Sequence, residues 1–392
     1  MVQKTSTVKK NPHNSAGSIK ALLKQLGELA ARPLSEATSM PKQVYLSDEF
    51  NRLEQEKIFD QEWICAGRTD DVPNPGDYRT FQLGKQPLVI IRQKDGSIEA
   101  LSNVCLHRMM QIVEGRGNAK KMVCPYHAWT YGIDGQLKAA PHMDKSSCFD
   151  KGHHKLPNIR LEIWCGWIYV TLNAKAEPIN KRLSKFDEVA ARYRMEDFVG
   201  IVSEDHVWNT NWKLLAENFM EGYHLPIAHK ATVGGFIDVN NTSYDERGPF
   251  DFFSYQSFTK SEDATVGTAH PKNTTLKDEW RYTSLLPVIY PSHLIVLAPD
   301  HLWYLSLQPQ GTGQVRMRYG ASIAPEVLEN HPNPDELIDS VKDLLDRVND
   351  EDRVLVEGIF RGANAPMSTS GPLSWLEQQN HEFTQYLSRM IS

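Results

Sequence analysis

The sequence predicts an α+β protein in which strands and helices occupy separate stretches of the chain. From Trp63 to Leu172, short β-rich runs alternate with turn signals such as Lys94-Asp95-Gly96 and Ile133-Asp134-Gly135, a pattern typical of antiparallel hairpins. In the remainder, strands and helices are segregated rather than alternating, which favours α+β over a doubly wound sheet. The 392 residues are 40% hydrophobic, so we expect two or three domains, or one core with a large insertion.

The N-terminal region is predicted to contain two helices. Ser18–Ala31 places Leu22, Leu26 and Leu29 at helical spacing, and Asp48–Gln61 forms a second amphipathic stretch. The first 20 residues are rich in Lys and Ser/Thr and lack the apolar run of a secretory signal, so we expect a solvated, mobile start.

The central region is predicted to be one antiparallel β domain of about 110 residues. A linker is expected at Asn173–Pro178. Apolar periodicity then predicts a helix over Val207–Tyr223, strands over Leu285–Ala298, Leu302–Leu307 and Gln314–Ile323, and helices over Glu326–Asn349, Arg353–Phe360 and Trp375–Met390.

Charge and composition argue against several classes of protein. The formal net charge is −6, whereas proteins that track nucleic-acid phosphates usually have a basic excess. All apolar runs are shorter than the roughly 18 residues that span a bilayer. Five cysteines in so long a chain do not suggest a disulfide scaffold. We therefore expect a cytoplasmic protein with neither a nucleic-acid nor a membrane partner.

Two Cys/His pairs form a first cluster of potential metal ligands. Cys105-Leu-His107 is followed after 16 residues by Cys124-Pro-Tyr-His127. A disulfide would leave the histidines unexplained, and a structural zinc site usually groups Cys with Cys and His with His. Two loops that each donate one thiolate and one imidazole suit a 2Fe–2S cluster, with the thiolates on one iron and the imidazoles on the other. The spacing thus favours the cluster over zinc.

A second cluster lies around Glu221. On a helix, Glu217, Glu221 and His224 would share one face, whereas His229 would lie about 140° further round. Pro226 is expected to break the helix and to turn His229 back beside His224. Taken alone, Glu and His on one helix face are more often a solvated surface than a metal site.

The first cluster resembles the Rieske motif of the ring-hydroxylating oxygenase α subunits. The ligand order C-x-H-x16-C-x2-H and the continuation Ala128-Trp-Thr-Tyr-Gly-x-Asp-Gly135 both agree with that family, and the resemblance extends over about Tyr45 to Tyr386. Met109 departs from it, because the family commonly has a small residue there. The resemblance implies a Rieske 2Fe–2S cluster held by Cys105, His107, Cys124 and His127.

The resemblance also assigns the second cluster to a mononuclear Fe(II) site. It implies iron ligands at His224 and His229, and Glu221 falls at the position of an acid that reaches a Rieske His of the next subunit, here His127. The implied candidate catalytic residues are Glu221, Asn218 and Tyr223.

The third iron ligand should be a distant carboxylate, completing a 2-His-1-carboxylate set. The acidic run from Val348 to Glu357 resembles the family segment that supplies it, and alignment gives Asp352, with Asp350 and Glu351 as alternatives. The family often has Gln where Phe360 stands. An ordinary acidic helix start would give the same local pattern.

The resemblance further implies an architecture and partners. The expected parts are an N-terminal helical segment (1–44), an all-β Rieske domain (45–173) and a catalytic domain (174–392) with an antiparallel sheet wrapped round a helix, the helix-grip or START-like arrangement. A ring-shaped homotrimer is implied. The chain has neither a G-x-G-x-x-G motif nor a plant-type ferredoxin Cys run. We therefore expect a separate flavin or iron–sulfur reductase, with or without a ferredoxin, to deliver electrons from NAD(P)H.

Two substrate classes are compatible with the sequence. The Glu221-Gly-Tyr-His form and the run from Gly371 to Glu377 resemble the betaine-type monooxygenases, which favours O₂-dependent hydroxylation and N-demethylation of a quaternary ammonium or N-methyl compound, held by cation–π contacts. The alternative is mono- or dihydroxylation of an aromatic ring or aromatic acid. Aromatic side chains available to either class, most of them expected in the sheet core, are Phe236, Tyr244, Phe252, Phe253, Tyr255, Tyr290, Trp303 and Tyr304.

Two functions without oxygenase activity are alternatives to this prediction. One is a pure electron-transfer Rieske protein, and the other is a zinc-bound binding module. An electron carrier would need little more than the β domain, whereas 220 residues with a second ligand set follow Leu172. The sequence therefore favours the oxygenase.

Overall fold

The computed structural model describes residues 16–235, 238–244, 251–264 and 266–392. Most of the predicted solvated start, and Phe236 from the aromatic set, lie outside the described residues. In the part of the chain that is described, no helix combines the length and the apolar character needed to cross a membrane.

Ten α-helices are present in the described residues, and asparagine side chains cap the starts of two of them. Asn211 and Asn333 accept backbone N–H groups at the starts of the sixth and ninth helices. The helices are α1 Ala16–Ala30, α2 Gln43–Leu46, α3 Asp48–Glu54, α4 Ile179–Arg182, α5 Ser184–Ala190, α6 Trp212–Phe219, α7 Leu225–Ala228, α8 Pro325–Asn330, α9 Pro334–Ala363 and α10 Gln378–Ile391. Helix α3 continues into a π-helical turn over Gln55–Phe59, so the predicted helix from Asp48 is confirmed nearly to its end.

The predicted central β domain is confirmed as two antiparallel sheets. A seven-stranded sheet has the order β1-β10-β9-β4-β3-β2-β5, and a three-stranded sheet has the order β6-β7-β8. Their strands are β1 Ile64–Arg68, β2 Asp77–Leu83, β3 Gln86–Arg92, β4 Ile98–Ser102, β5 Arg116–Asn118, β6 Lys121–Val123, β7 Thr130–Gly132, β8 Leu137–Ala139, β9 Asn158–Trp164 and β10 Trp167–Thr171.

The second half of the chain forms another seven-stranded antiparallel sheet, in the order β11-β17-β16-β15-β14-β13-β12. Its strands are β11 Val199–Trp208, β12 Thr242–Tyr244, β13 Phe253–Thr259, β14 Thr283–Ile289, β15 His293–Leu297, β16 His301–Pro309 and β17 Val315–Ile323. Tyr319 on β17 donates a hydrogen bond to Asp346 on α9 (3.1 Å). The predicted α+β class, with an antiparallel sheet wrapped round a helix, is confirmed.

The predicted helix over Val207–Tyr223 is wrong at both ends. Strand β11 runs through Trp208, α6 begins only after Asn211, and it ends at Phe219. Pro226 lies in the first turn of the new helix α7, where a proline is well tolerated because its missing N–H would have no partner. The break therefore precedes the proline rather than being caused by it.

Two other predicted boundaries are also corrected. The separate helices Glu326–Asn349 and Arg353–Phe360 are replaced by short α8 and the continuous 30-residue α9. The stretch Leu285–Ala298 is a hairpin of β14 and β15 rather than one strand, with its turn at the cis Tyr290–Pro291 bond.

One hydrophobic core crosses the predicted domain boundaries. It includes Leu26 on α1, Phe50 on α3 and Ile64 on β1, together with Trp212 on α6 and Phe383 on α10. The N-terminal helices therefore pack against the catalytic half, and the division into 1–44, 45–173 and 174–392 stays a prediction.

Candidate metal centres

The two Cys/His loops have the same backbone conformation. In each, the N–H four residues after the cysteine donates back to the cysteine carbonyl, from Met109 to Cys105 and from Ala128 to Cys124, both at 3.0 Å. Met109 and Ala128 both lie in the left-handed region, at φ 57° and 56°. The two loops thus present their potential ligands in matching positions within the central β domain.

The four donor side chains divide into an inner and an outer pair. Cys105 and Cys124 are buried, whereas His107 and His127 are exposed, with ring centroids 4.7 Å apart. Trp129 stacks on His107 at 5.0 Å between centroids. All five cysteines are free, so the disulfide alternative is wrong. Two buried cysteine sulfurs and two exposed imidazoles fit a 2Fe–2S cluster with mixed ligands.

The second ligand set is assembled from two distant parts of the chain. His224 precedes α7, His229 follows it, and Asp352 lies within α9. One ligand atom from each of the three lies within 4.8 Å of the others. Asp352 Oδ1 is 3.1 Å from His229 Nε2 and 3.6 Å from His224 Nε2. Two imidazoles and one carboxylate at this spacing have the composition of a non-haem Fe(II) site.

Each imidazole is held from behind by a carboxylate. His224 Nδ1 lies 2.5 Å from Glu221 Oε1, and His229 Nδ1 lies 2.7 Å from Glu351 Oε2. Thr232 donates to the same Glu351 oxygen at 2.6 Å. Because both Nδ1 atoms are engaged, both Nε2 atoms face Asp352, as in many metal sites with carboxylate-supported histidines.

Sequence reasoning missed this role of Glu351, which it kept only as an alternative ligand. The local signal was an acid directly before the expected ligand on one helix. Adjacent helical positions project about 100° apart, so Glu351 and Asp352 reach different sides of His229. Asp350 is exposed and outside the group.

The other predicted site residues occupy different positions. Asn218 donates to Asp352 Oδ1 at 2.7 Å and so fixes that carboxylate. Tyr223 joins Glu221 through its backbone N–H, but its side chain is 61% exposed. Glu217 accepts hydrogen bonds from Tyr45 Oη (2.9 and 3.0 Å) and lines a cavity together with Glu221. Because α6 ends at Phe219, before Glu221 and His224, the predicted placement of all three side chains on one helix is wrong.

The electrostatics of the group favour a bound cation. Burial lowers the pKa of His224, but hydrogen bonds with Asp352 and Glu221 outweigh it and raise the pKa to about 9. Burial raises the pKa of Asp352, but the two imidazoles outweigh it and lower the pKa to about 2. The three side chains therefore favour positive charge between them, and a divalent metal would bind there by displacing protons.

A cavity of about 140 Å³ adjoins the three ligands. It lies between α6, α7 and α9 and one face of the sheet. Trp303, from the predicted aromatic set, lines it, whereas Phe253, Tyr255, Tyr290 and Tyr304 are buried in the core. Sequence reasoning missed several lining residues, namely Phe219, Phe258, Lys260, Ser284 and His301.

Comparisons with protein families match both halves of the chain. Residues 62–157 match the Rieske [2Fe-2S] domain. Residues 189–392, more than half of the chain, match the ring hydroxylating alpha subunit (catalytic domain). The two matches contain the two ligand sets described above.

Curated relatives include oxygenase subunits named for quaternary ammonium compounds. The glycine betaine monooxygenase oxygenase subunit of Chromohalobacter salexigens is 34% identical over 205 residues, which is 52% of this chain and 46% of that protein. The carnitine monooxygenase oxygenase subunit of Acinetobacter baumannii is 33% identical over 210 residues, or 52% of this chain and 54% of that protein. The chain spans about half the length of these relatives.

Solved structures share the fold over nearly the whole chain. A quaternary ammonium Rieske monooxygenase in complex with L-carnitine has a TM-score of 0.77 at 23% identity, covering 93% of this chain and 98% of that one. Naphthalene 1,2-dioxygenase from Rhodococcus sp. bound to indole has a TM-score of 0.78 at 19% identity, covering 96% and 98%. At these identities the likeness establishes the fold alone.

Proposed function

The chain belongs to the ring-hydroxylating α-subunit family, and from this premise we propose that it is the terminal oxygenase of a Rieske-type system. The reaction is C–H + O₂ + NADH + H⁺ → C–OH + H₂O + NAD⁺, with NADH oxidised by a separate reductase. The single observation that carries the proposal is the convergence of His224, His229 and Asp352 beside a cavity.

The Rieske domain carries a 2Fe–2S cluster and the catalytic domain a mononuclear iron. We assign the iron to the His224, His229 and Asp352 group, and the cluster to Cys105, His107, Cys124 and His127. When bound, the cluster supplies single electrons, and the iron supplies open coordination positions for O₂ activation.

The surrounding side chains position the ligands and exclude water. Glu221 and Glu351 fix the two imidazoles, and Asn218 fixes the carboxylate of Asp352. Phe258 and Trp303 supply an apolar wall next to the ligands. A C–H bond of the substrate is held against this wall, away from bulk solvent.

We propose a quaternary ammonium or N-methyl compound as the substrate. Its cationic methyl groups suit the aromatic faces of Phe219, Phe258 and Trp303. The C–N bond of the hydroxylated N-methyl group then breaks with its electron pair moving to nitrogen and the hydroxyl proton released, so that formaldehyde and the demethylated amine are formed. Hydroxylation of an aromatic ring is the second candidate, because the same rings can stack on an aromatic substrate.

Two exposed apolar surfaces support assembly of several copies. One surrounds the Rieske loops and comprises Leu106, Met110 and Tyr126. The other flanks the iron ligands along the chain and comprises Tyr223, Ile227, Val354 and Ile359. Exposed apolar patches commonly mark contact surfaces. We propose that they join in a cytoplasmic homotrimer, where His127 of one copy approaches Glu221 of the next.

Anaerobically loaded protein tests the oxygenase proposal. We expect about three irons and two acid-labile sulfides per chain with a Rieske-type EPR signal. With a reductase of broad specificity, NADH and O₂ consumption should rise with glycine betaine or carnitine, whereas a rise with benzoate alone supports the aromatic alternative. A colourless, zinc-loaded protein would contradict oxygenase activity on either class of substrate.

The Glu221→Ala variant tests electron transfer between copies. Since Glu221 holds His224 and lies at the position that bridges to the next subunit, we expect both metals to bind while electron transfer and turnover fall sharply. Single-turnover reduction of the iron centre by a pre-reduced cluster measures this directly. Near-normal transfer would remove the bridging role of Glu221.

A further inference from the structure

The cavity beside the iron ligands has a second polar end. Phe258 and Trp303 lie near the ligand segment, since Phe258 is within 3.4 Å of the Cβ position at Gly222 and Trp303 is 6.1 Å from Phe219 between ring centroids. Lys260 and His301 also line the cavity. Lys260 lies two residues after Phe258 and His301 lies two residues before Trp303, so each is about 7 Å from its aromatic neighbour along extended chain.

Lys260 and His301 lie at the same edge of the sheet. Strands β13 to β16 are successively antiparallel, so the C-terminal end of β13 and the N-terminal start of β16 are at one edge. Lys260 follows the end of β13, and His301 begins β16. The cavity therefore runs from the His224, His229 and Asp352 group, past aromatic rings, to a lysine and a histidine.

Asp300 holds the His301 side chain and the Gly267 backbone in place at this second end, but it is not among the residues that line the cavity. Its Oδ1 is 2.6 Å from His301 Nδ1, and its Oδ2 accepts the backbone N–H of Gly267 at 2.8 Å. Because Nδ1 is engaged, Nε2 is the nitrogen of His301 that can meet a ligand. Lys260 Nζ donates one hydrogen bond, to the carbonyl of Val266 at 2.8 Å, and an ammonium has three donors.

Electrostatics favour an anion at this end. Burial lowers the pKa of Lys260, which the charge of Asp300 opposes. The two Asp300 carboxylate oxygens are already hydrogen-bonded to His301 and to the backbone N–H of Gly267. The partly desolvated Lys260 ammonium therefore lies near a carboxylate that is engaged with other groups. A desolvated charge is costly unless it is paired, and an incoming anion would pair it.

We propose that Lys260 and His301 bind a carboxylate of the substrate, so that the substrate is a small zwitterion with a quaternary ammonium group and a carboxylate. The carboxylate binds at Lys260 and His301, and the ammonium group lies among the aromatic rings towards the metal ligands. This inference rests on the proposed function and narrows it, because it excludes cationic alcohols as good substrates.

Binding measured without turnover tests the inference. Glycine betaine and choline share a trimethylammonium group, and differ in having a carboxylate or an alcohol. We expect the iron-loaded enzyme, studied anaerobically by calorimetry, to bind glycine betaine at least about tenfold more tightly than choline. Lys260→Met should weaken glycine betaine binding by roughly 30-fold and leave choline binding unchanged, whereas Lys260→Arg should retain most of the affinity.

Lys277→Met is the matched control, because this variant removes the same positive charge from an exposed position outside the cavity. It should bind both ligands like the wild type. Equal affinities for glycine betaine and choline, or wild-type glycine betaine affinity in Lys260→Met, would overturn the carboxylate site. If Lys260→Met does not fold with normal iron content, His301→Gln replaces it, with the same expected loss confined to the carboxylate ligand.

A second pair of probes separates this inference from the proposed substrate. If neither trimethylammonium compound binds the wild type, benzoate and benzyl alcohol are compared. Lys260-dependent preference for benzoate would support the carboxylate site and reject the quaternary ammonium substrate. No preference for the carboxylate in either pair would reject the carboxylate site.

Discussion

The four proposed Rieske ligands lie within residues 105–127, whereas the three proposed iron ligands span residues 224–352. The Rieske loops hold their shape by their own backbone hydrogen bonds, repeated in both loops. The iron group is instead held by charged and amide side chains from α6, from the segment between α6 and α7, and from α9. A local site depends on loop geometry, and a dispersed site depends on the packing of the elements that carry it. Substitutions should therefore be able to impair one of the two metal sites while leaving the other intact.

The largest expected separation comes from Asp352→Ala. It removes one iron ligand and leaves the Cys/His loops untouched, so iron content should fall from about three to about two per chain with an unchanged Rieske EPR signal. Product formation should fall by more than the roughly 10–100-fold that loss of an outer partner costs. Asp350→Ala, in the exposed neighbour, is the control. Three retained irons in Asp352→Ala would return the ligand role to Glu351.

The next largest effect is expected at the base of α6. Lys213 Nζ lies 2.7 and 2.9 Å from the Glu54 carboxylate oxygens, and both side chains are fully buried. Lys213→Met would leave Glu54 buried without its partner, at a cost of about 3–5 kcal/mol in unfolding free energy. Urea unfolding measures this loss.

The double variant Lys213→Met/Glu54→Leu is the matched control for this ion pair. It removes both charges and should recover most of the stability, because an apolar replacement of a buried pair is often neutral. Equal destabilisation in the single and double variants would show that packing, rather than the stranded charge, is responsible.

Glu351→Gln should act only on the iron site and more weakly. Glutamine can still accept from His229 Nδ1 but carries no charge, so Fe(II) affinity should fall roughly 10–100-fold while the cluster is retained. Anaerobic Fe(II) titration measures the change. Asp350→Asn makes the same charge change one residue earlier at an exposed position. A comparable loss in that control would attribute the effect to general electrostatics.

The same contrast explains what the sequence predicted well. The fold class and the central β domain followed from local periodicity and turn signals, and one compact motif was enough to propose all four cluster ligands. The end of α6 and the continuity of α9 depend on tertiary packing, so periodicity misplaced both. Glu351 and Lys260 gain their positions only when α7, α9 and the sheet edge meet, and no spacing within the chain reveals that meeting.

The smallest expected effect tests the local geometry of the Rieske loops. Met109 has φ 57° with its side chain 84% exposed, so its departure from a small residue creates no packing conflict and leaves only backbone strain. A left-handed conformation costs an L-residue roughly 1–2 kcal/mol, and substitution by glycine relieves that cost. Part of this relief is offset because glycine has greater conformational freedom in the unfolded chain. Met109→Gly should therefore stabilise the loop by about 0.5–1 kcal/mol, seen as a rise of about 1–3 °C in the midpoint for loss of the cluster absorbance.

Met109→Ala separates strain from exposure, because alanine keeps the strained backbone while losing the apolar side chain. It should leave the midpoint near the wild-type value, and Ala128→Gly in the twin loop should reproduce the rise. If alanine raises the midpoint as much as glycine does, the exposed apolar side chain rather than the strained backbone is the cause. The stability of the Rieske loops would then depend on an exposed side chain, whereas that of the iron site depends on buried charges.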